Sequence, residues 1–414
     1  MMAYDRSNLP DDVKLGSGWG SAGDPEWDGL TKRFRPVFAR IREDAVKREL
    51  GRGLPHDEIG WLRETGFTAM RVPQEAGGLG VSLVNFFALL IDLSEADSNI
   101  TQALRAHFGF VEHIRTEAPP ARQARWFDRL LRGDVVGAGW SELGNAKQAA
   151  FSAELRQTAE GWRLNGSKFY TTGTLFSDWV HVGASDSEGN GVSVVVSRHA
   201  PGVEVLDDWN GMGQRLTASG TTHFRDVPVE DCEIVRERAP FGYSEAFFQL
   251  VHLATLAGIG RAAASDTASI LRIRKRSYSN ATTAMAPEDP QLLQVVGRVR
   301  AHAYAAGAIV HHAARALDKA AAIGNDQDPA LIAEAEIEIW QAQSVVSQLI
   351  IDATASLFDA LGASATLRDA GLDRYWRNAR TISSHNPRVY KDRIIGDFAV
   401  NGRIPQGQWR IGQA

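Results

Sequence analysis

Cysteine is nearly absent: Cys232 is the only one in 414 residues. A single thiol excludes an internal disulfide framework, a cysteine-based zinc site and an iron–sulfur cluster held by this chain alone. Cys232 follows a strand pattern and is expected to be a small buried side chain. Long unbroken apolar runs are also missing, and none reaches the roughly 18 residues of a membrane-crossing helix. The first 25 residues are polar and glycine-rich, without the apolar centre of a secretory leader. No membrane contact and a cytoplasmic location are the resulting expectations. Excess basic charge is missing too. A net charge of −5 gives no electrostatic footprint for nucleic acid. What remains is 44% apolar and 23% charged residues, the composition of a folded chain with roughly two to three domains. Tryptophan alone is in excess, at 11 residues, which points to flat ligands or heavy interfaces.

Periodicity divides the chain into three zones after a flexible leading segment at 1–26. Residues 27–132 read as helical: Leu83, Phe86, Phe87 and Leu90 recur at three and four, and Asp57 is positioned to cap a helix running to Glu64. Residues 133–240 switch to a period of two. Trp179–Val182, Val192–Val196, Val203–Val205 and His223–Val227 read as strands, and Asn165-Gly166 reads as the type I′ turn of a hairpin from Trp162 to Tyr170. Residues 241–414 return to long helices. One stripe is Leu292, Val296, Val299, Ala303, Ala306, Val310, Ala313 and Leu317. A second is Ala335, Ile339, Ala342, Val346, Leu349, Ala353 and Leu357, with Asn325 to Pro329 breaking the two helices. The fold class is α+β: helical domain, small central β-barrel or sandwich, helical bundle.

Several motif-like strings fail on context. Gly18-Trp19-Gly20-Ser21-Ala22-Gly23 has the letters of a dinucleotide fingerprint but neither a preceding strand nor a following helix. Gly77-Gly78-Leu79-Gly80 reads as an interhelix loop. Trp140-Ser141-Glu142 lacks the glycine that a nucleophile elbow needs at position 143. His311 and His312 are adjacent on a helix and face different ways, so they do not chelate one metal. His113, His181, His223 and His252 are each read as ordinary core or surface residues.

Four segments carry the chemistry jointly. They are Arg71–Gly80; Gly139–Glu142 with Lys168–Gly173; Gly211–Gly220; and Arg374–Arg380 ending in Ser384-His385-Asn386-Pro387. On these segments and the α, β, α order, the chain from about residue 27 onward resembles the acyl-CoA dehydrogenase superfamily. The resemblance implies that fold, with a C-terminal four-helix bundle, and a flavin held by Trp140, Ser141, Glu142, Tyr170, Thr171 and Thr172. Tyr170 takes the stacking position and Thr172 the hydroxyl position near flavin N5, while Trp140 lies beside the flavin. Aromatic rings and hydroxyls suit an isoalloxazine.

A dehydrogenase of this superfamily needs a carboxylate base, and the expected position falls at Asn386, which cannot serve. His385-Asn386-Pro387, Tyr390-Lys391, Gly396 and Asn401-Gly402 resemble instead the flavin-dependent monooxygenases built on this fold. That resemblance implies a two-component enzyme. Reduced FMN, supplied by a separate flavin reductase, would react with O2 to a C4a-hydroperoxide that oxygenates a small aromatic or organosulfur substrate. FAD is the second choice of cofactor. His385, titrating near neutrality, would act as proton donor, with Asn386 beside it and Thr172 steadying the adduct. Arg276 and Lys391 would bind the cofactor. His107, Phe108 and Phe110 would line the substrate pocket. Other readings are an N-hydroxylase of an amine or amino sugar, an acyl-CoA dehydrogenase with a displaced base, and a flavin-free binding protein. The resemblance also implies a homotetramer.

Overall fold

The computed structural model describes residues 18–19, 26–144, 151–236, 241–322 and 329–404. Most of the glycine-rich start, and Asn325 within the expected helix break, lie outside the described residues. The helical zone opens with α1 (Trp27–Glu43), α2 (Ala45–Gly51) and α3 (His56–Glu64), then α4 (Leu83–Ala103), α5 (Arg105–Glu117) and α6 (Pro120–Leu131). Helix α1 buries Leu30, Phe34, Val37, Phe38 and Ile41 on one face, the three-four spacing of an amphipathic helix. Helix α3 corrects one expectation: Asp57 lies inside its first turn and Pro55 occupies the cap. Helix α4 is buried along almost its whole length, because it packs on α7 (Ser244–Arg272) as well as on α1. Ser82 caps α4 by accepting from the Asn85 N–H at 3.2 Å.

The β zone comprises β1 (Val136–Gly139), β2 (Glu154–Thr158), β3 (Gly161–Lys168), β4 (Trp179–Ser185), β5 (Gly191–Ser197), β6 (Val203–Val205), β7 (Thr222–Val229) and β8 (Ile234–Val235). Strand order is β6-β7-β3-β2-β4-β5-β8, with β1 parallel to β4. Leu155, Leu164, Val180, Val182, Val194 and Phe224 form its buried core. The hairpin expected at Asn165-Gly166 is not there. The turn joins β2 to β3 between Thr158 and Gly161, where Thr158 Oγ1 donates to Gly161 O at 2.8 Å and accepts from the Glu160 N–H at 3.2 Å. Asn165-Gly166 sits inside β3 at a break in register against β7, and Asn165 Oδ1 accepts from the Asp226 N–H at 2.8 Å. An Asn-Gly pair serves a bulge as readily as a turn. Cys232 is also corrected: its side chain is exposed, because a 3-10 turn over Asp231–Glu233 offers its carbonyl, not its thiol, to Arg122 and Arg125.

The last zone is α7, α8 (Pro290–Ala321), α9 (Pro329–Leu361), α10 (Asp373–Ser383) and α11 (Val389–Asn401). Asp289 caps α8 through the Gln291 and Leu292 N–H groups, with Pro290 at the first helical position. Val299, Ala303, Ala306, Val310, Ala313 and Leu317 on α8 face Ala335, Ile339, Ala342, Val346, Ala353 and Leu357 on α9 and α7, all buried as the stripes predict. Leu292, Val296 and Leu349 are half-buried. By length and composition α7 and α9 could cross a membrane. The most apolar stretch of α7 is 94% enclosed within the fold, whereas that of α9 is 44% enclosed.

His107 joins the helical zone to the sheet. It is fully buried; Nε2–H donates to Thr68 O at 2.9 Å and Nδ1 accepts from the Val136 N–H at 3.2 Å. Both bonds require the neutral ring, and burial pushes its pKa down to about 4. The unfolded chain therefore binds a proton that the native chain refuses between about pH 6.5 and 4. Stability is expected to fall as pH drops through that window, by up to about 3 kcal/mol from His107 alone. Urea unfolding at pH 7 and pH 5 measures this, and equal midpoints would contradict it.

Candidate active site

The loop after β3 is held by tight local chemistry. Lys168 Nζ is buried beside Glu142, whose carboxylate also accepts from Ser152 N–H, Ser152 Oγ and Ala153 N–H. Burial alone would raise the Glu142 carboxyl, but Lys168 and the Ser152 and Ala153 donors outweigh it and hold the pKa at about 2. The Glu142 carboxylate thus anchors the loop; its acceptor sites are taken by protein donors. Tyr170 follows in the left-handed region, with φ 57°, and is 53% exposed beside Phe169 and Trp209. A bulky residue there costs roughly 1–3 kcal/mol, a strain that clusters at functional sites. Thr171 turns inward: its hydroxyl donates to Gly220 O at 2.9 Å and accepts from Thr222. It therefore positions the loop and leaves Thr172 to face outward.

Gly173 then meets the end of α4. Its φ is +79°, and a Cβ there would lie 2.0 Å from Ala103 O. Gly173→Ala is expected to cost about 2–4 kcal/mol through strain and a backbone clash. A thermal shift of the purified variant tests this; an unchanged Tm would show that the loop can move off α4.

Three hydroxyls run in series behind the loop. Thr172 Oγ1 lies 2.8 Å from Ser219 Oγ, which lies 2.7 Å from Thr217 Oγ1, which donates to Gln214 O at 2.9 Å. Each hydroxyl has one proton. Thr217 spends its proton on the carbonyl, so Ser219 donates to Thr217 and Thr172 donates to Ser219. Thr172 is left with lone pairs to offer, and its proton has a second, longer acceptor in Tyr170 O at 3.5 Å. Ser141 is exposed at the neighbouring segment, with its carbonyl bound by the Phe169 N–H at 2.9 Å.

A second polar group comes from α5, α7 and the turn after α10. The His385 ring is open to solvent yet surrounded by protein, 4.4 Å from the buried ring of His252. His385 Nδ1–H donates to Asn386 Oδ1 at 3.2 Å, and Asn386 Nδ2 donates to Gln249 Oε1 at 2.8 Å. Gln343 Nε2 holds the Asn386 carbonyl at 2.9 Å. The surrounding protein, and then the Arg105 charge, push the His385 pKa down to about 4. This corrects the expectation of a histidine titrating near neutrality: His385 is neutral at physiological pH and presents Nε2 as an acceptor. Asn386 orients His385. Arg105, the first residue of α5, lies two residues beyond the Ala103 carbonyl that Gly173 abuts, so the β-loop and the start of α5 meet at the end of α4.

Other expected site residues lie elsewhere. His107 is the structural link described above. Phe108 packs against Phe67 and Phe86, and Phe110 against Trp126 and His181, all in the core. The phase of α5 explains the miss: the face toward α7 carries Arg105 and Gly109, where a Cβ would lie 2.1 Å from the Phe248 ring. Lys391 is buried with Nζ 3.6 Å from the Trp340 ring centre, beside Glu245 and Glu336, so it braces α11 on α9. Arg276 is exposed beyond the far end of α7, about 30 Å of helix from His252. Trp140 packs edge-on to His181 at 4.8 Å and covers Gly183, against the sheet. Arg71 is committed to Glu112, making the first segment scaffold. The sequence reading missed Arg105, Ser219, Gln249 and His252. Their signal was polarity on otherwise apolar stretches: Gln249 and His252, three apart, share one face of a helix that is buried nearly throughout.

Comparison with known proteins gives concordant matches. Residues 30–134 match the family of the acyl-CoA dehydrogenase N-terminal domain, and residues 250–387 that of the acyl-CoA dehydrogenase C-terminal domain. The probable FMNH2-dependent monooxygenase SfnC of Pseudomonas putida is 27% identical over 383 residues, covering 90% of this chain and 94% of the relative. Dibenzothiophene monooxygenase of Mycolicibacterium goodii is 27% identical over 393 residues, covering 90% and 93%. The crystal structure of TdsC from Paenibacillus sp. A11-2 with FMN and indole superposes with a TM-score of 0.84 at 26% identity, over 92% of this chain and 99% of that one.

Proposed function

Since this chain belongs to the acyl-CoA dehydrogenase superfamily, in its flavin-dependent monooxygenase branch, we propose that it oxygenates a small organosulfur substrate with reduced FMN and O2. The residues present suit a flavin. Tyr170 and Trp209 offer aromatic surface, and Ser141 and Thr172 offer hydroxyls along one edge. When bound, reduced FMN supplies the electrons that activate O2. The chain's own residues do the rest. Thr172, its proton committed to Ser219, accepts from an N–H such as that at N5 of the reduced ring. His385 Nε2 accepts a proton or hydrogen bond at the cleft, held in register by Asn386 and Gln249.

The observation that carries the reading is the fixed polarity of the Thr172 hydroxyl, which matches reduced rather than oxidised flavin. The dehydrogenase alternative lacks support at Asn386, an amide that donates to Gln249, while Glu245 and Glu336 bear on Lys391. The chain carries no recognisable nicotinamide-binding motif, so the reading includes a separate reductase. It also includes a homotetramer, supported by the half-open apolar stretch of α9.

The test is rapid mixing of the protein, loaded anaerobically with reduced FMN, against O2 and a thioether. A transient oxygenated-flavin absorbance followed by sulfoxide carrying label from 18O2 is expected. Stoichiometric hydrogen peroxide without product, together with enoyl formation from an acyl-CoA, would overturn the reading.

A further inference from the structure

We infer that Arg105, His252 and His385 form an oxyanion-binding subsite, so that the substrate oxygenated in this cleft bears a sulfur oxyanion or a carboxylate. The inference rests on the monooxygenase reading for the word substrate; the subsite itself rests on unmet polar groups.

Arg105 differs from the other enclosed arginines. Arg42, Arg48, Arg71, Arg261 and Arg374 each pair with at least one carboxylate. Arg105 has no carboxylate partner among the described residues. Its Nε donates to Phe248 O at 3.2 Å, and its guanidinium lies 4.6 Å from the Phe248 ring centre. These contacts fix the plane and leave the terminal N–H groups free. Burial pushes its pKa down to about 9, so the charge persists at neutral pH. Burial alone shifts it, with no carboxylate bearing on it.

His252 is buried to 1% exposure, and neither ring nitrogen has a hydrogen-bond partner. Its ring touches that of His385, whose Nδ1–H is taken by Asn386 and whose Nε2 is free. The Arg105 charge bears on both rings. An unmet buried polar group costs about 1–3 kcal/mol. His252 on α7 is such a group, and the Arg105 guanidinium from α5 and the His385 ring from the turn after α10 bear on it; the guanidinium donates as it stands, and the imidazoles donate once an anion draws a proton onto them. A planar oxyanion is the complement of a guanidinium fork. A neutral thioether would leave the guanidinium N–H groups and the buried His252 ring unmet.

Calorimetric titration of the FMN-loaded full chain, without O2, tests this with matched probes: methanesulfinate against dimethyl sulfone, and benzenesulfinate against methyl phenyl sulfone. At least one sulfinate is expected to bind about tenfold or more tightly than its neutral partner. That ratio should fall to about one in Arg105→Gln and recover in part in Arg105→Lys. His385→Gln, on an exposed turn, is a second variant that should narrow the ratio without altering Tm. Anion and sulfone binding within about twofold, a preference that survives Arg105→Gln, or no sulfinate binding up to about 10 mM would overturn the subsite. Because no turnover is read, the two proposals fail separately. Anion preference without oxygenation overturns only the monooxygenase reading. Oxygenation of neutral thioethers without anion preference overturns only the subsite.

Discussion

Glu112→Ala is expected to lower the unfolding free energy by about 3–5 kcal/mol, the range for removing one member of a buried ion pair. Glu112 is fully buried. It accepts from Arg71 Nε at 2.6 Å and Nη2 at 3.0 Å, from Arg115 at 3.2 Å and from the Tyr243 hydroxyl at 2.6 Å. Arg71 also reaches the Val81 carbonyl, so this carboxylate ties α5 to the segment before α4 and to the start of α7. Alanine would leave Arg71 charged, enclosed and unpaired. Burial alone would raise the Glu112 carboxyl, but Arg71 and Arg115 outweigh it and hold the pKa below its ordinary value. Its contribution is thus present above the unfolded carboxylate pKa and is lost as pH falls through the lower, folded one. Urea unfolding at neutral pH measures the change. A loss under about 1 kcal/mol would mean that solvent reaches Arg71. The paired replacement Arg71→Met with Glu112→Leu should recover much of the loss, since an apolar pair avoids the unmatched charge.

Thr172→Val should lower product formed per reduced FMN consumed by about 10- to 100-fold, the scale for losing one aimed polar contact at a reacting centre. Valine keeps the shape and removes the acceptor. Ser219→Ala separates shape from polarity. It leaves Thr172 in place but removes the nearer acceptor of its proton, leaving only Tyr170 O at 3.5 Å, so Thr172 can donate to oxidised flavin. Reduced FMN should then bind less tightly and oxidised FMN more tightly, raising the ratio of their dissociation constants about tenfold. Anaerobic and aerobic fluorescence titrations measure both constants. An unchanged ratio would show that the hydroxyl series does not set the preference.

Much of the architecture was legible in periodicity. The α8 and α9 stripes and the Val192–Val196 strand carry patterns that burial enforces. Local turn chemistry was less legible. Asn165-Gly166 has the letters of a hairpin turn, but the side chain of Thr158 and the φ of +110° at Gly161 place the turn earlier. Tyr170 and Thr172 rest on the resemblance, and the structure adds the hydroxyl contacts from Thr172 to Ser219 and on to Thr217. His107, Phe108 and Phe110 were misread because the helix phase was carried over without the neighbour that fixes it. Gly109 is that marker: only a missing side chain admits Phe248, which turns Arg105 toward the cleft. His252 shares a polar face with Gln249, but its distinguishing property, the lack of a partner, is visible only in the structure.

Asp97 interrupts α4 with φ −157° and ψ 108°. Just past it, Ser98 accepts from Gln214 Nε2 at 3.1 Å and Asn99 from the Leu216 N–H at 3.2 Å, while Asn378 accepts from the Gln214 N–H at 2.6 Å. Residues of α4, of the β-zone loop and of α10 are thereby stitched at one buried knot. Opening any one of the three zones must break bonds belonging to the other two. The amides of Gln214 and Leu216 should therefore exchange with deuterium only when the whole chain unfolds, although both sit in a loop. The loop that carries the hydroxyl series would then be among the slowest parts of the molecule to open.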